Sequence, residues 1–542
     1  MAQTQERRPW QDIAQEEQNK RDAAIPSEWR LQNPPGPEVR NVMRVPYESG
    51  IMTAEELAWT EKDATELLRL ISEGKLKSYD LTLAFCKRAA IAQQVLNCMT
   101  HIFFDDGLRQ AKELDEIYAH TGKVVGPWHG LPFSIKDHFD IKGKDTSSGY
   151  VAWVGTIAEK DAPIVKLLRD AGAVFYCKTN NPQTLMQLET VSNLFGRTLN
   201  PHSRNLSPGG SSGGEAALVA FHGSPIGLAA DGGGSIRAPA ANVGLHGMKA
   251  TSCRIPLAGS NFPMKGCEAF PEVVGVICKT TRDTEYFMRN VLDTQPWRNQ
   301  PDMVPLPWRG APTPKKITIG FFEDDGFVRP HPPITAALKA IVKKLRENPL
   351  FELREWKPYQ HSRGYNVIRK LYFQDGGADN LEAMKASGEP ILPLAAQSII
   401  GPHTKLRTIS ESWALNVERE EYRTEYLQDW NQHPDIDFLL CPVGPCAASR
   451  HDTARYWGYT CVFNCLDYPA YSFPTGLKCS PESHPKDEIY TPRNDMDAYN
   501  WANYEPSEYM GAPINLQLVG KKWNCEKVIR AVDLIQACLG VE

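Results

Sequence analysis

Short apolar runs of strand length alternate with amphipathic helical stretches along much of this chain, and that alternation limits its fold more than any other feature. A strand is expected over Leu131–Lys136, a helix over Ala162–Ala171, a strand over Ala173–Lys178 and a helix over Glu215–Phe221. The strand Lys316–Phe322 and the helix Ile334–Glu347 repeat the pattern. Strands at Asp437–Cys441 and Pro513–Val519 and a helix at Glu526–Leu539 extend it to the C-terminus. Chains patterned this way fold as α/β proteins, with a sheet buried under helices.

No long Gly/Ser-rich or Pro-rich linker divides the 542 residues, so one large domain over 53–542 is expected, preceded by an extended arm over 1–52 that contains Asn33-Pro34-Pro35-Gly36-Pro37. Thr53-Ala54-Glu55-Glu56 fits a capping box, and Leu67, Leu68 and Ile71 mark the helix that follows. Ser78 is expected to cap the next one. Val367–Trp430 reads as a long helical region with an amphipathic surface, and the polar stretch Ser480–Ser507 as a surface excursion.

A formal charge of -5 and a pI near 6.3 give no electrostatic reason to bind nucleic acid. The 13 cysteines contain no C-x-x-C pair and no Cys/His group at zinc spacing; Cys461 and Cys465 come nearest, and Val462, Phe463 and Asn464 between them read as core packing. Dispersed, odd-numbered thiols and the absence of a signal peptide or an 18-residue apolar run predict a cytoplasmic protein without a membrane anchor.

Two glycine-serine segments carry the chemical signal. In Asp231-Gly232-Gly233-Gly234-Ser235-Ile236-Arg237, three glycines free the backbone to aim several N–H groups into one volume, as an oxyanion hole requires. In Pro208-Gly209-Gly210-Ser211-Ser212-Gly213-Gly214-Glu215, Ser212 satisfies G-x-S-x-G, the nucleophile elbow of an α/β-hydrolase. That reading needs an acid and a histidine downstream, and neither His246 nor His451 has a context that marks it. Lys136, at the end of an apolar strand, can serve as a base if burial disfavours its charge. On these residues alone the nucleophile is Ser212 or Ser235.

The order, spacing and flanks of these segments resemble the amidase signature family, from about Ala64 to Leu539, in a style similar to fungal acetamidases and to fatty acid amide hydrolases. Gly130-Leu131-Pro132-Phe133-Ser134-Ile135-Lys136-Asp137, Lys178-Thr179-Asn180, Asn193-Leu194-Phe195-Gly196, Leu466-Asp467-Tyr468-Pro469-Ala470 and Gly511-Ala512-Pro513 add to the match. The resemblance implies a Ser-cisSer-Lys triad: Ser235 as nucleophile, Ser211 after a cis peptide bond as proton bridge, and Lys136 as base. It further implies oxyanion donors at Gly232, Gly233, Gly234 and Ser235, loop-fixing roles for Ser212, Asp231 and Arg237, and an acyl-pocket position at Leu185. Gly232 departs from the pattern, in which many relatives carry Ile or Thr.

The implied fold is one domain built on a large twisted mixed sheet covered by helices on both sides, often as a homodimer. The implied reaction is hydrolysis of small aliphatic or aryl amides with no metal or organic cofactor. Fatty-amide specificity is the chief alternative; an amidotransferase subunit and a catalytically silent scaffold are the others. Pocket walls are expected from Phe139–Tyr150, Leu185 and the helical region after Val367.

Overall fold

The structure, a computed structural model, describes residues 8–541. Its centre is an 11-stranded mixed sheet. The strands run in the order Met99–Ile102, Val174–Thr179, Pro132–Lys136, Ile226–Asp231, Val273–Cys278, His246–Lys249, Ala470–Lys478, Pro513–Gly520, Phe438–Pro442, Ile317–Phe321 and Phe351–Glu355. Pro132–Lys136 lies parallel to both of its neighbours, while Ile226–Asp231 is antiparallel to Val273–Cys278.

Side-chain alternation shows why the strands are apolar on both faces. Leu228 and Ala230 join one core while Ala229 joins another, and Phe438 and Leu440 likewise part from Leu439 and Cys441. A sheet buried on both faces needs helices over each, which the α/β alternation supplies.

The predicted strands and helices in the alternating stretches form within a residue or two of their expected limits. The capping box is present: Glu56 N–H donates to Thr53 Oγ1 at 3.2 Å, and Thr53 N–H donates to a Glu56 carboxylate oxygen at 2.8 Å. Ser78, by contrast, is the first residue of its helix and caps nothing. The Ser78 and Tyr79 N–H groups instead donate to Asp115, 37 residues on, at 2.7 and 2.9 Å.

The segment expected as an extended arm is helical over part of its described length, at Trp10–Ala23, Ser27–Trp29 and Val45–Glu48. A 14-residue helix, Trp10–Ala23, packs on the domain, with Gln18 Nε2 donating to Leu194 O at 2.7 Å and Arg21 Nη1 to Met99 O at 3.3 Å. The stretch around the prolines is irregular; residues 1–7 lie outside the described residues.

The region after Val367 divides into helices His361–Tyr372, Ala378–Ser387, Pro393–Ile399 and Ile409–Asn431. The polar stretch 480–507 is anchored as well. It contains the helix Asp495–Ala502, and the buried Asp497 accepts from Arg329 N–H at 2.9 Å and Tyr490 OH at 2.5 Å.

Candidate active site

Lys136 ends one central strand and Asp231 ends the next, parallel one, so both reach the same carboxyl edge of the sheet. Crevices at that edge are where α/β sheets bind ligands. The segment carrying Ser211 turns into the helix Gly213–Ala220 beside them, and the Gly210–Ser211 peptide bond is cis.

Lys136 is 1% exposed, and its Nζ lies 2.6 Å from Ser211 Oγ. Burial draws the Lys136 amine down to about 8, against the opposing pull of Glu272, Asp231 and Glu215. Near neutral pH a lysine in that range exchanges its proton readily. Ser211, Ser235, Gly232 and Leu185 all line one cavity of about 500 Å³, so both candidate serines of the triad face the same space. Ser212 does not: it is fully buried, its Oγ donates to Ala230 O at 3.4 Å, and its N–H donates to Ser235 O at 3.3 Å.

The glycine loop is held by a closed polar network. Asp231 accepts from Gly234 N–H at 2.7 Å and Ile236 N–H at 3.2 Å, from Arg237 Nε at 3.0 Å and from Asn464 Nδ2 at 2.9 Å. Arg237 continues to Thr460 O at 3.0 Å and Asn464 Oδ1 at 2.6 Å. Burial alone would raise the Asp231 carboxyl; the Arg237 guanidinium outweighs it and holds the group well below the usual carboxylate range.

This network corrects the expected set of oxyanion donors. Gly234 N–H is committed to Asp231, whereas among the described residues Gly232, Gly233 and Ser235 N–H have no such acceptor in the loop or from a side chain. The loop's own carbonyls are fixed from outside: Tyr372 OH donates to Gly232 O at 3.0 Å and Thr460 Oγ1 to Gly233 O at 2.7 Å.

Sequence reading missed several of these partners. Asn464, read as packing between two cysteines, is a buried bridge between Asp231 and Arg237. Its signal was a buried amide on an otherwise apolar helix, which needs partners for its four hydrogen-bonding positions. Glu215 opens the helix after Ser212 and is also buried. Burial pushes its carboxyl up to about 8, against hydrogen bonds from Ser134 Oγ at 2.5 Å and Thr179 Oγ1 at 2.7 Å.

The cavity wall differs from the expected one. Phe139–Tyr150 does not line it; the segment from Ser252 to Glu272 does, through Ile255, Leu257, Phe262, Met264, Phe270 and Glu272. From the helical region after Val367, only Arg419 and Arg423 contribute. Leu185, in a left-handed conformation (φ 60°), lines the cavity. The histidines of the rejected α/β-hydrolase reading stand elsewhere: His246 contacts Tyr471 OH at 3.3 Å and His451 contacts Arg204 O at 3.0 Å.

A buried lysine paired with a serine, and a second serine lining the same cavity as the first, is an arrangement that could carry out lysine-based acyl transfer. Comparisons with known proteins agree with that class. The family profile described as Amidase matches residues 80–529. An acetamidase of Aspergillus oryzae is 38% identical over 544 residues, covering 98% of this chain and 99% of its own. The acetamidase of Emericella nidulans is likewise 38% identical, covering 98% of each chain. A solved fatty acid amide hydrolase superposes with a TM-score of 0.95 at 35% identity, covering 99% of this chain and 96% of its own. The chain belongs to the amidase family and has the amidase signature fold.

Proposed function

We propose that this amidase hydrolyses carboxylic amides to acid and ammonia or amine through an acyl-Ser235 intermediate. The observation that carries the proposal is the 2.6 Å contact between buried Lys136 and Ser211, which lines the same cavity as Ser235. Neutral Lys136 accepts the Ser211 proton as Ser211 takes that of Ser235, and Ser235 Oγ attacks the amide carbon. The oxyanion forms against the N–H groups of Gly232, Gly233 and Ser235. The proton returns through Ser211 to the leaving nitrogen, which would otherwise depart as an unstable anion. Water then cleaves the ester by the same relay.

Small aliphatic or aryl amides are the favoured substrates, in keeping with the two acetamidase relatives. The cavity supports a second reading. Its volume exceeds what a two-carbon amide fills, and with the apolar stretch of its wall at Leu185, Ile255, Leu257 and Phe270 and the likeness to a fatty acid amide hydrolase it favours longer acyl chains. A panel of primary amides graded from two carbons to long chains, with aryl members, separates the two by the position of the kcat/KM maximum. Absence of ammonia release from every member overturns the amidase reading.

A cytoplasmic location accords with 13 unpaired cysteines and with no described helix long and apolar enough to cross a membrane. Fractionation with a tagged chain tests it; recovery in a membrane or secreted fraction contradicts it.

A further inference from the structure

The cavity wall carries negative charge that the protein itself does not pair. Arg419 and Arg423 both meet Glu420, at 2.8 and 2.7 Å, and Lys522 meets Asp467 at 3.0 Å, so each cation lining the cavity already has an acidic partner. Among the described residues, the carboxyl groups of Glu268, Glu272 and Asp302, which also line it, accept no hydrogen bond and enter no ion pair. Glu268 and Asp302 are exposed, and water solvates them. Glu272 is half-buried, and burial pushes its carboxyl up against the opposing pull of Lys136. It lacks the partner that water supplies to the other two.

The backbone decides what stands beside that carboxyl. Asp231 pairs with Val273 in the antiparallel ladder, so Gly232 and Glu272 are the next opposed residues, one step past its end. A Cβ added at Gly232 would meet the Phe270 ring at 3.6 Å and Glu272 Cγ and Cβ at 3.8 and 3.9 Å. Because Gly232 has no side chain, a notch is left over it, with an aromatic ring and a carboxyl stem as its neighbours, and all three residues line the cavity. The Phe270 ring is set edge to face against Tyr372, with centroids 4.7 Å apart, and Tyr372 OH in turn holds Gly232 O. The notch is therefore tied to the same loop that carries Ser235.

An aromatic ring and an unpaired carboxylate around one space are the groups that recognise an ammonium: the ring attracts it through its quadrupole, and the carboxylate pairs with it. A neutral apolar group gains only the ring. The leaving nitrogen of a primary amide departs as ammonia, so such a cation has to be carried on the acyl chain. Resting on the amide-hydrolase reading above, we propose that Gly232, Phe270 and Glu272 form a subsite for a cationic group, so that amides whose acyl chain bears an ammonium are preferred to neutral ones of the same shape.

The test compares ω-aminoalkanamides with the alkanamides in which a methyl replaces the ammonium, over a range of chain lengths, by kcat/KM at low salt. The cationic member should lead by about tenfold at the best length and lose that lead as salt screens the pair. Glu272→Gln should remove the lead, and so should Gly232→Ile, which fills the notch; Phe270→Leu should reduce it about threefold. Each variant is read as the ratio of the two substrates, which cancels any effect of Glu272 on Lys136 because both share the chemical step. Equal kcat/KM for the pair, or a lead that survives Glu272→Gln, overturns the subsite. So does a Glu268→Gln variant that loses the lead as fully, since the preference then belongs to the field of the exposed wall. Calorimetric binding of the same pair to Ser235→Ala repeats the comparison without turnover. A wild-type chain that releases ammonia from neither member fails as an amidase, while the subsite then stands or falls on the difference in Kd.

Discussion

The floor of the cavity and its wall are built by different means. The floor is polar and buried and is tied by hydrogen bonds at two ranges: Asp231 holds Gly234, Ile236 and Arg237 within six positions, and Asn464, Thr460 and Tyr372 brace the same loop from distant helices. The wall is an irregular segment from 252 to 272, apolar at Ile255, Leu257, Phe262 and Phe270 and charged at Glu268 and Glu272, closed by residues from distant helices. In the proposed reaction, chemistry that depends on tenths of an ångström would fall to the braced loop, and substrate shape to a surface that can vary without disturbing it.

The sharpest way to break the floor is to remove its proposed base or its proposed nucleophile. Lys136→Ala and Ser235→Ala should each lower amide turnover by about 10⁴-fold or more while leaving the thermal transition in place. In the proposed relay the neutral amine accepts the proton, so kcat/KM on a non-ionisable amide should climb as pH rises through about 8 and then level off. A profile that falls through that range would mean the protonated lysine is the working form.

Next in size is the brace. Arg237→Met leaves the fully buried Asp231 carboxylate without its cation and should cost about 3–5 kcal/mol of stability, read from denaturant unfolding. An unchanged midpoint would separate the network from the fold.

The two glycines at the junction give a graded test. At Gly234, φ is +132° and an added Cβ would lie 2.3 Å from Thr460 Oγ1, so Gly234→Ala should reduce turnover about 100-fold. At Gly232, an added Cβ would meet nothing nearer than Phe270 at 3.6 Å, so Gly232→Ala should stay within about threefold. Equal losses would show that the loop does not discriminate between them.

The smallest effect belongs to the wall. Phe270→Ala should move the preferred acyl length and change relative KM values about tenfold, with kcat little altered. A loss of kcat alike for all substrates would make Phe270 part of the floor.

The floor was legible in the sequence because its residues are contiguous: the run ending in Lys136, the pair Ser211 and Ser212, and the span from Asp231 to Arg237. Even there, only the resemblance chose Ser235 over Ser212, since a G-x-S-x-G match says nothing about burial. The strand Ile226–Asp231 escaped notice because its Gly and Ala residues have low β-propensity, and it is a strand through its neighbours rather than its own sequence. Asp115 capping the helix at Ser78, and Asn464 joining Asp231 to Arg237, are long-range contacts with no periodicity to reveal them. The wall segment 252–272 has neither helical nor strand period, so its approach to Ser235 appears only in three dimensions.

The measurement that bears most directly on the acyl-Ser235 account is peptide mass spectrometry after treatment with a fluorophosphonate, which traps an activated serine. The account predicts a single adduct on Ser235, lost in Ser235→Ala and strongly slowed in Lys136→Ala. An adduct on Ser211 or Ser212, or labelling of Ser235 at an undiminished rate without Lys136, would contradict it.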